Sequence, residues 1–137
     1  MAHGTYALLM HCQKAGRVRV GRLGWLTLQC GYYVYVGSAL GPGGLEARLG
    51  HHRRIARRPH WHIDYLRRRC KLVEVYSRES EQRLECEWAH VLGEGVAGFG
   101  ASDCRCASHL FFFADKPVLA EMLGARSVSI DKRHLSV

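Results

Sequence analysis

No apolar run in this 137-residue chain reaches the ~18 residues that a membrane-spanning helix requires. The sequence therefore predicts no membrane partner. The opening Met1-Ala2-His3-Gly4-Thr5-Tyr6 lacks the charged start and cleavage site of a secretory signal, which predicts a cytoplasmic protein. Internal repeats, long linkers and low-complexity tracts are missing, and the length suits one compact domain, residues 1–137. A disulfide framework is not expected. The six cysteines (Cys12, Cys30, Cys70, Cys86, Cys104 and Cys106) are scattered, most of them in apolar segments, and at least four read as buried free thiols. Lysine is scarce: sixteen of the twenty basic residues are Arg.

Hydrophobic residues make up 47% of the chain, enough for a core, and the formal net charge is +8. Arginine presents a planar fork to phosphate oxygens. This balance points to a polyanionic partner about as strongly as to an ordinary arginine-rich surface. The charge is concentrated. Arg48, Arg53, Arg54, Arg57, Arg58, Arg67, Arg68 and Arg69 fall in one stretch with four histidines, and Asp64 alone opposes them. Such a tract suits sequence-independent phosphate contacts, with Arg53, Arg54, Arg57 and Arg58 as its centre. Trp61 could stack on a base, although a half-buried Trp is the commoner outcome.

Hydrophobic patterning predicts strands over 5–10, 17–20, 25–30 and 32–36, with 17–20 as the second strand of a hairpin with the first. The loop Gly41-Pro42-Gly43-Gly44 precedes a helix over 45–57 that Pro59 breaks, and a second helix is expected over 61–68. A strand follows at 72–76. Ser77 or Ser80 is then positioned to cap a helix whose Leu84, Trp88 and Val91 have core spacing. Residues 109–113 read as a last strand, 117–123 as a short helix and Gly124 onward as a tail. The fold class is α+β: a small, mainly antiparallel sheet flanked by helices.

The chemistry-bearing residues recur at telling places. Leu45, Arg48, Leu49 and His52 share one helix face, so two apolar residues dock it while Arg48 and His52 converge at its edge. On the 32–36 strand, Tyr33 and Tyr35 share a face. If that strand pairs with the first, Tyr6 and Tyr35 come together. Two phenols, an Arg and a His suit phosphodiester hydrolysis: a phenol can orient or deprotonate water, and Arg can stabilise the charged transition state. Aromatic packing in the sheet explains the same tyrosines without chemistry. Glu85, expected mid-helix beside the Leu84/Trp88 stripe, is the best single carboxylate for Mg²⁺ or Mn²⁺, whereas Glu81 and Glu87 read as solvated.

Gly4-Thr5-Tyr6, then Tyr35-Val36-Gly37-Ser38-Ala39, then Arg48 and His52, then His60 and Glu85, resembles the GIY-YIG nuclease superfamily across residues 4 to 90. The resemblance implies that Tyr6 or Tyr35 helps activate water, with Tyr6 closest to it. It also implies that Arg48 holds the phosphate, that His52 and His60 complete the site, and that Glu85 binds Mg²⁺. Leu84-Glu85-Cys86 is similar to the stretch in the incision subunit of bacterial excision repair. The two tyrosine strings are normally about ten residues apart. Here 28 residues intervene, so an inserted strand pair near 17–30 is expected. The family's late Asn has no counterpart, and Ser102 or Asp103 would have to substitute. With the 61–66 and 102–110 strings, these departures resemble a small, poorly characterised branch also found fused to archaeal endonuclease III proteins.

The expected function is therefore a metal-dependent endonuclease hydrolysing phosphodiester bonds in DNA, with structured or damaged DNA among its substrates. RNA shares the same linkage. The alternative is an inactive nucleic-acid-binding module on the same scaffold. Cys104-x-Cys106-x-x-His109 offers zinc-ligand chemistry, but its spacing is poor for zinc, and a structural loop is the better reading.

Overall fold

Alternating side chains from Gly4 to Cys12 build the central strand, β1, of the computed structural model, which describes residues 2–99 and 108–128. Strand β2 spans Gly16–Val20, β3 Gly24–Leu28 and β4 Gly31–Ala39. Helices α1 (Gly44–Arg53) and α2 (His62–Arg67) follow, then β5 (Lys71–Glu79) and α3 (Glu85–Leu92). Strand β6 (Leu110–Phe113), helix α4 (Leu119–Leu123) and β7 (Arg126–Val128) complete the described chain. The main sheet has the order β6-β4-β1-β5-β7, with every neighbouring pair antiparallel. The fold is α+β.

The sheet has two apolar faces. Tyr6, Leu8 and Met10 of β1 and Tyr33 and Tyr35 of β4 point to one face, where Leu45 and Leu49 of α1 and Ile63 and Leu66 of α2 cover them. Ala7 and Leu9 of β1 and Val34 and Val36 of β4 point to the other, against Leu84, Trp88 and Leu92 around α3 and Leu119 of α4. This is the period-two alternation of a strand buried on both sides.

The 17–20 segment is a strand, but its partner is β3 rather than β1. Strand β1 is flanked along its length by β4 and β5, which leaves no edge for β2. Strands β2 and β3 therefore close into a separate two-stranded ribbon, the insertion expected between the two tyrosine strings.

Several boundaries differ from the sequence expectation for tertiary reasons. Helix α1 stops at Arg53 instead of 57. The buried Arg67 side chain takes its terminal carbonyls, with Nε donating to His52 O at 2.9 Å and Nη2 to Arg53 O at 3.4 Å. Arg68 Nη2 donates to the carbonyls of Ala56 and Arg57 and ties down the irregular stretch that follows the helix. Neither Ser77 nor Ser80 caps α3: β5 runs on to Glu79, and Ser80 Oγ accepts from the Gln82 amide instead. Because α3 begins at Glu85, its buried positions are 85, 88, 89 and 92, and Val91 is exposed. Residues 126–128 form β7 on the β5 edge in place of the expected tail. Cys12 and Cys70 are buried free thiols, but Cys30 is exposed and Cys86 is disulfide-bonded. Among the described residues, no helix is long and apolar enough to cross a membrane.

Candidate active site

Each residue of the first tyrosine string is fixed by what it packs against. A Cβ on Gly4 would run into the Arg78 carbonyl of β5 and into Leu45 of α1. Thr5 points to the α3 face, where its Oγ1 accepts the Leu84 amide at 3.1 Å and fixes the start of α3 next to Glu85. Tyr6 points to the α1 face, and its hydroxyl lies 2.7 Å from His52 Nε2. The second string completes the arrangement. Gly37 pairs with Tyr6 across the β1–β4 ladder, and the Tyr6 phenol occupies the space a Cβ would need there. Val36 fills the opposite core, and Tyr35 places its ring 6.4 Å from that of Tyr6.

A cavity of about 490 Å³ opens at this end of the sheet. Tyr35, Arg48, His60, Trp61, Glu85 and His109 line it. The structure thus brings four of the expected catalytic residues, Tyr35, Arg48, His60 and Glu85, around one space. Tyr6 and His52 lie behind that wall, 0% and 1% exposed. The resemblance ranks Tyr6 nearest the water, whereas Tyr35 is the phenol on the cavity wall.

Burial sets the protonation of this inner layer. It pushes the Tyr6 phenol well up, while the nearby Arg48 charge works the other way. Tyr35 is raised by burial and then by Tyr6 and Glu85. His52 is lowered to about 3, by burial first and then by His51, with the Arg48 and Arg67 charges adding to the effect. At neutral pH the Tyr6–His52 pair is therefore a neutral phenol against a neutral imidazole. Among the described residues the imidazole's Nδ1 is buried without a partner, and Tyr6 is the ring's one polar anchor.

Arg48 lies with its guanidinium 4.4 Å over the Trp61 ring, which also packs against His51, His52 and His60. One face of the Trp61 ring is thus occupied by Arg48, and the contact fixes the guanidinium at the cavity. Asp64 holds this corner together. Its Oδ2 accepts the amides of His60 and Trp61 at 2.8 and 3.0 Å, and its Oδ1 faces His51 Nε2 at 2.8 Å. Burial works to raise the Asp64 carboxyl, but the two amides and His51 outweigh it and hold the group below its usual range. In the sequence Asp64 reads only as an opposing charge, which misses this clamp. The available signal is an acidic residue three positions after Trp61 at a helix start.

Glu85 is the first residue of α3, not a mid-helix position, and is 6% exposed. Its carboxylate lies 3.5 Å from Arg83 Nη1 and 4.0 Å from His109 Nδ1, both long for charge-assisted hydrogen bonds. Lone pairs thus remain toward the cavity. One hard oxygen ligand beside room for waters fits Mg²⁺ or Mn²⁺, which tolerate few protein ligands. His109, which the sequence offers only as a zinc ligand, is buried at Glu85, and burial lowers its imidazole while Glu85 draws it back up. Cys104 and Cys106 lie outside the described residues, as do Ser102 and Asp103. Among the described residues, His51, His52 and Asp64 each offer one donor atom within 4.8 Å of the others. The Asp64 oxygens there are already engaged by His51 and the two amides.

The basic tract divides. Arg54, Arg57 and Arg58 are exposed and Arg53 is half-buried, and these four line one open groove. Arg67 is not part of the exposed charge: it is buried on the carbonyls of His52, Arg53 and Cys70.

A family model described as "Domain of unknown function DUF123" matches residues 5–129. No curated protein and no solved structure matches the chain.

Proposed function

This chain belongs to the DUF123 family, and we propose that it is a metal-dependent endonuclease of the GIY-YIG type that hydrolyses phosphodiester bonds in DNA. The observation that carries this reading is one cavity walled by a phenol, a guanidinium, an imidazole and a carboxylate, with a buried phenol–imidazole pair behind it.

A phosphodiester entering the cavity meets Arg48, whose fork can take two non-bridging oxygens and counter the charge that grows on them during displacement. Trp61 holds that fork in place, so less reorganisation is needed when the phosphate arrives. Tyr35 is the phenol able to touch the attacking water. Held as a neutral phenol, it orients the attacking water through a hydrogen bond, and the water's proton passes to a solvent molecule in the cavity as the new oxygen–phosphorus bond forms. His60, exposed on the same wall, can supply the proton that the departing oxygen takes as its bond to phosphorus breaks. Tyr6 and His52 act through Tyr35 as positioning residues. Glu85 would hold Mg²⁺ or Mn²⁺, which supplies charge neutralisation at the phosphate oxygens. The exposed Arg54, Arg57 and Arg58 extend the positive surface for sequence-independent backbone contacts. Structured or damaged DNA and a cytoplasmic setting belong to the same reading.

The test is a panel of labelled linear, nicked, flapped and branched DNAs, and matching RNAs, incubated with purified protein with and without Mg²⁺ or Mn²⁺. Metal-dependent cleavage of at least one DNA is expected. Binding of the panel without any cleavage would replace the enzyme with a binding module on the same scaffold.

A further inference from the structure

The ribbon inserted between the two tyrosine strings has two unlike faces. Val18, Val20, Leu26 and Leu28 turn inward onto the α2 side of the core. Arg17, Arg19, Trp25 and Thr27 turn outward, and all four are exposed. Arg19 sits directly opposite Trp25 in the β2–β3 ladder. From the diagonal position, Arg17 lays its guanidinium 4.7 Å over the indole. Even so, Trp25 is 61% exposed, the highest value among the large apolar side chains of the described residues.

The inner face seats the ribbon, and a single exposed apolar residue is ordinary. What singles Trp25 out is that two arginines flank its open ring, which puts an aromatic surface and cations in one place.

The electrostatics choose the partner. No Asp or Glu occurs before Glu46, so the ribbon carries no carboxylate of its own. Its positive surface also continues beyond it. Arg69 Nη1 donates to the Arg17 carbonyl at 2.7 Å. Arg69 in turn lines a groove of about 730 Å³ with Arg54, Arg57, Arg68 and Lys71, and no acidic residue lines it. A cationic groove joined to a cationic ribbon attracts a polyanion. The indole narrows the choice further, because a flat aromatic surface between guanidinium groups can stack a base while the arginines hold the flanking phosphates.

We propose that the outer face of the β2–β3 ribbon is a second nucleic-acid site that takes unpaired nucleotides, with a base stacked on Trp25 and phosphates on Arg17 and Arg19. This rests on nucleic acid being the partner, but not on cleavage. The insertion then serves to hold a single-stranded segment beside the arginine groove, so that substrates with unpaired flanks are favoured over plain duplex.

Binding measured in EDTA keeps cleavage out of the test. The titrants are a fluorescein-labelled thymidine 20-mer and a 20-base-pair duplex, over a range of salt. Trp25→Ala should weaken the single strand by roughly 5- to 100-fold, the range for one lost base stack, and should change the duplex little. Trp25→Phe should retain most of the affinity. Arg17→Ala with Arg19→Ala should lower the salt slope for the single strand by roughly 1.4, at about 0.7 per lost contact. The changed side chains are all on the solvent face, and unchanged melting temperatures would verify that the variants fold. Wild-type affinity and slope in all of these variants would overturn the ribbon site while leaving the nuclease reading intact. So would a Trp25-dependent self-association without any effect on nucleic acid. If the wild-type protein binds neither strand type, the ribbon site falls, and the cleavage panel with metal decides the nuclease reading separately.

Discussion

The Tyr6 hydroxyl and His52 Nε2 lie 2.7 Å apart, in a spot that solvent does not reach. This bond ties the central strand to helix α1 beneath the cavity. Both partners are held neutral by burial, so the pair is sensitive to acid before the carboxylates are.

His52 has a pKa of about 3 in the fold and about 6.5 in an unfolded chain. Between those values the unfolded state binds the extra proton. The group's stabilising contribution is therefore complete above about pH 6.5 and is lost as pH falls toward 3. His62 and His109 are lowered as well, so the difference against a His52 variant is what isolates the effect. Urea unfolding of wild type and His52→Gln at pH 7, 6 and 5 should show the gap between them shrink on acidification. The expected slope is up to about 1.4 kcal/mol per pH unit. A gap independent of pH would mean that His52 takes up its proton equally in the folded and unfolded states, so that burial does not shift it.

The two tyrosines separate packing from chemistry. Tyr6→Phe leaves a buried imidazole without its remaining partner, which should cost about 1–3 kcal/mol in unfolding free energy. For Tyr35 no hydroxyl hydrogen bond anchors the fold among the described residues, so Tyr35→Phe should be nearly neutral in stability. In cleavage the order reverses. Tyr35→Phe should lose roughly 10²-fold or more in rate, and Tyr6→Phe less, because it acts through its neighbours. Two fully active Phe variants would reduce both strings to a fold signature.

Gly37 gives a test of why the strings travel together. In Gly37→Ala the new methyl meets the Tyr6 phenol, whose ring is fixed by the ladder and by His52. A cost of about 1–3 kcal/mol is expected, as for overpacking. Part of that cost should vanish in the Tyr6→Phe background, where the hydroxyl is gone but the ring is not. Strictly additive changes in a double-mutant cycle would show that the two residues do not press on each other.

The sheet and its two faces were legible because strand alternation is a local signal: Tyr35 against Val36 and Tyr6 against Ala7 assign themselves. The convergence of Tyr35, Arg48 and Glu85 was legible only through the order of the motifs. Two things were not legible for the same reason: Arg67 ends α1 from another helix, and β2 lost the β1 edge to β5, which comes much later in the chain. In both a distant partner decided the outcome, and local propensity records no distant partners. The Asp64 clamp on the His60 and Trp61 amides is local, and its signal, an acidic residue at the third position of a helix, was there to be read.

Glu85→Gln removes the charge and keeps the shape. With Glu85 as the only cavity carboxylate among the described residues, metal-dependent cleavage should fall below detection. DNA affinity measured in EDTA should stay the same or rise slightly, because a negative group leaves a phosphate site. The fold should hold, since the Arg83 and His109 contacts are long. Isothermal titration with Mn²⁺ should lose its heat in the variant. Undiminished Mn²⁺ binding together with undiminished cleavage would remove Glu85 from the mechanism.

The arginines after α1 make the last forecast, and it turns on which of them can reach a phosphate. Arg67 spends its guanidinium on three carbonyls, so Arg67→Ala should unfold the α1–α2 corner and is no test of binding. Arg54, Arg57 and Arg58 are exposed, Arg53 is half-buried beside them, and Arg68 holds their segment through the carbonyls of Ala56 and Arg57. Replacing these four by Ala should therefore spare most of the stability. Each one that contacts a duplex phosphate contributes about 0.9 to the log–log salt slope, so the slope should fall by up to about 3.6. The loss should be similar for unrelated sequences, because phosphate contacts carry no base information. A reduced affinity with an unchanged slope would mean that the tract acts through shape alone, and an unchanged affinity would mean that it is a solvated face.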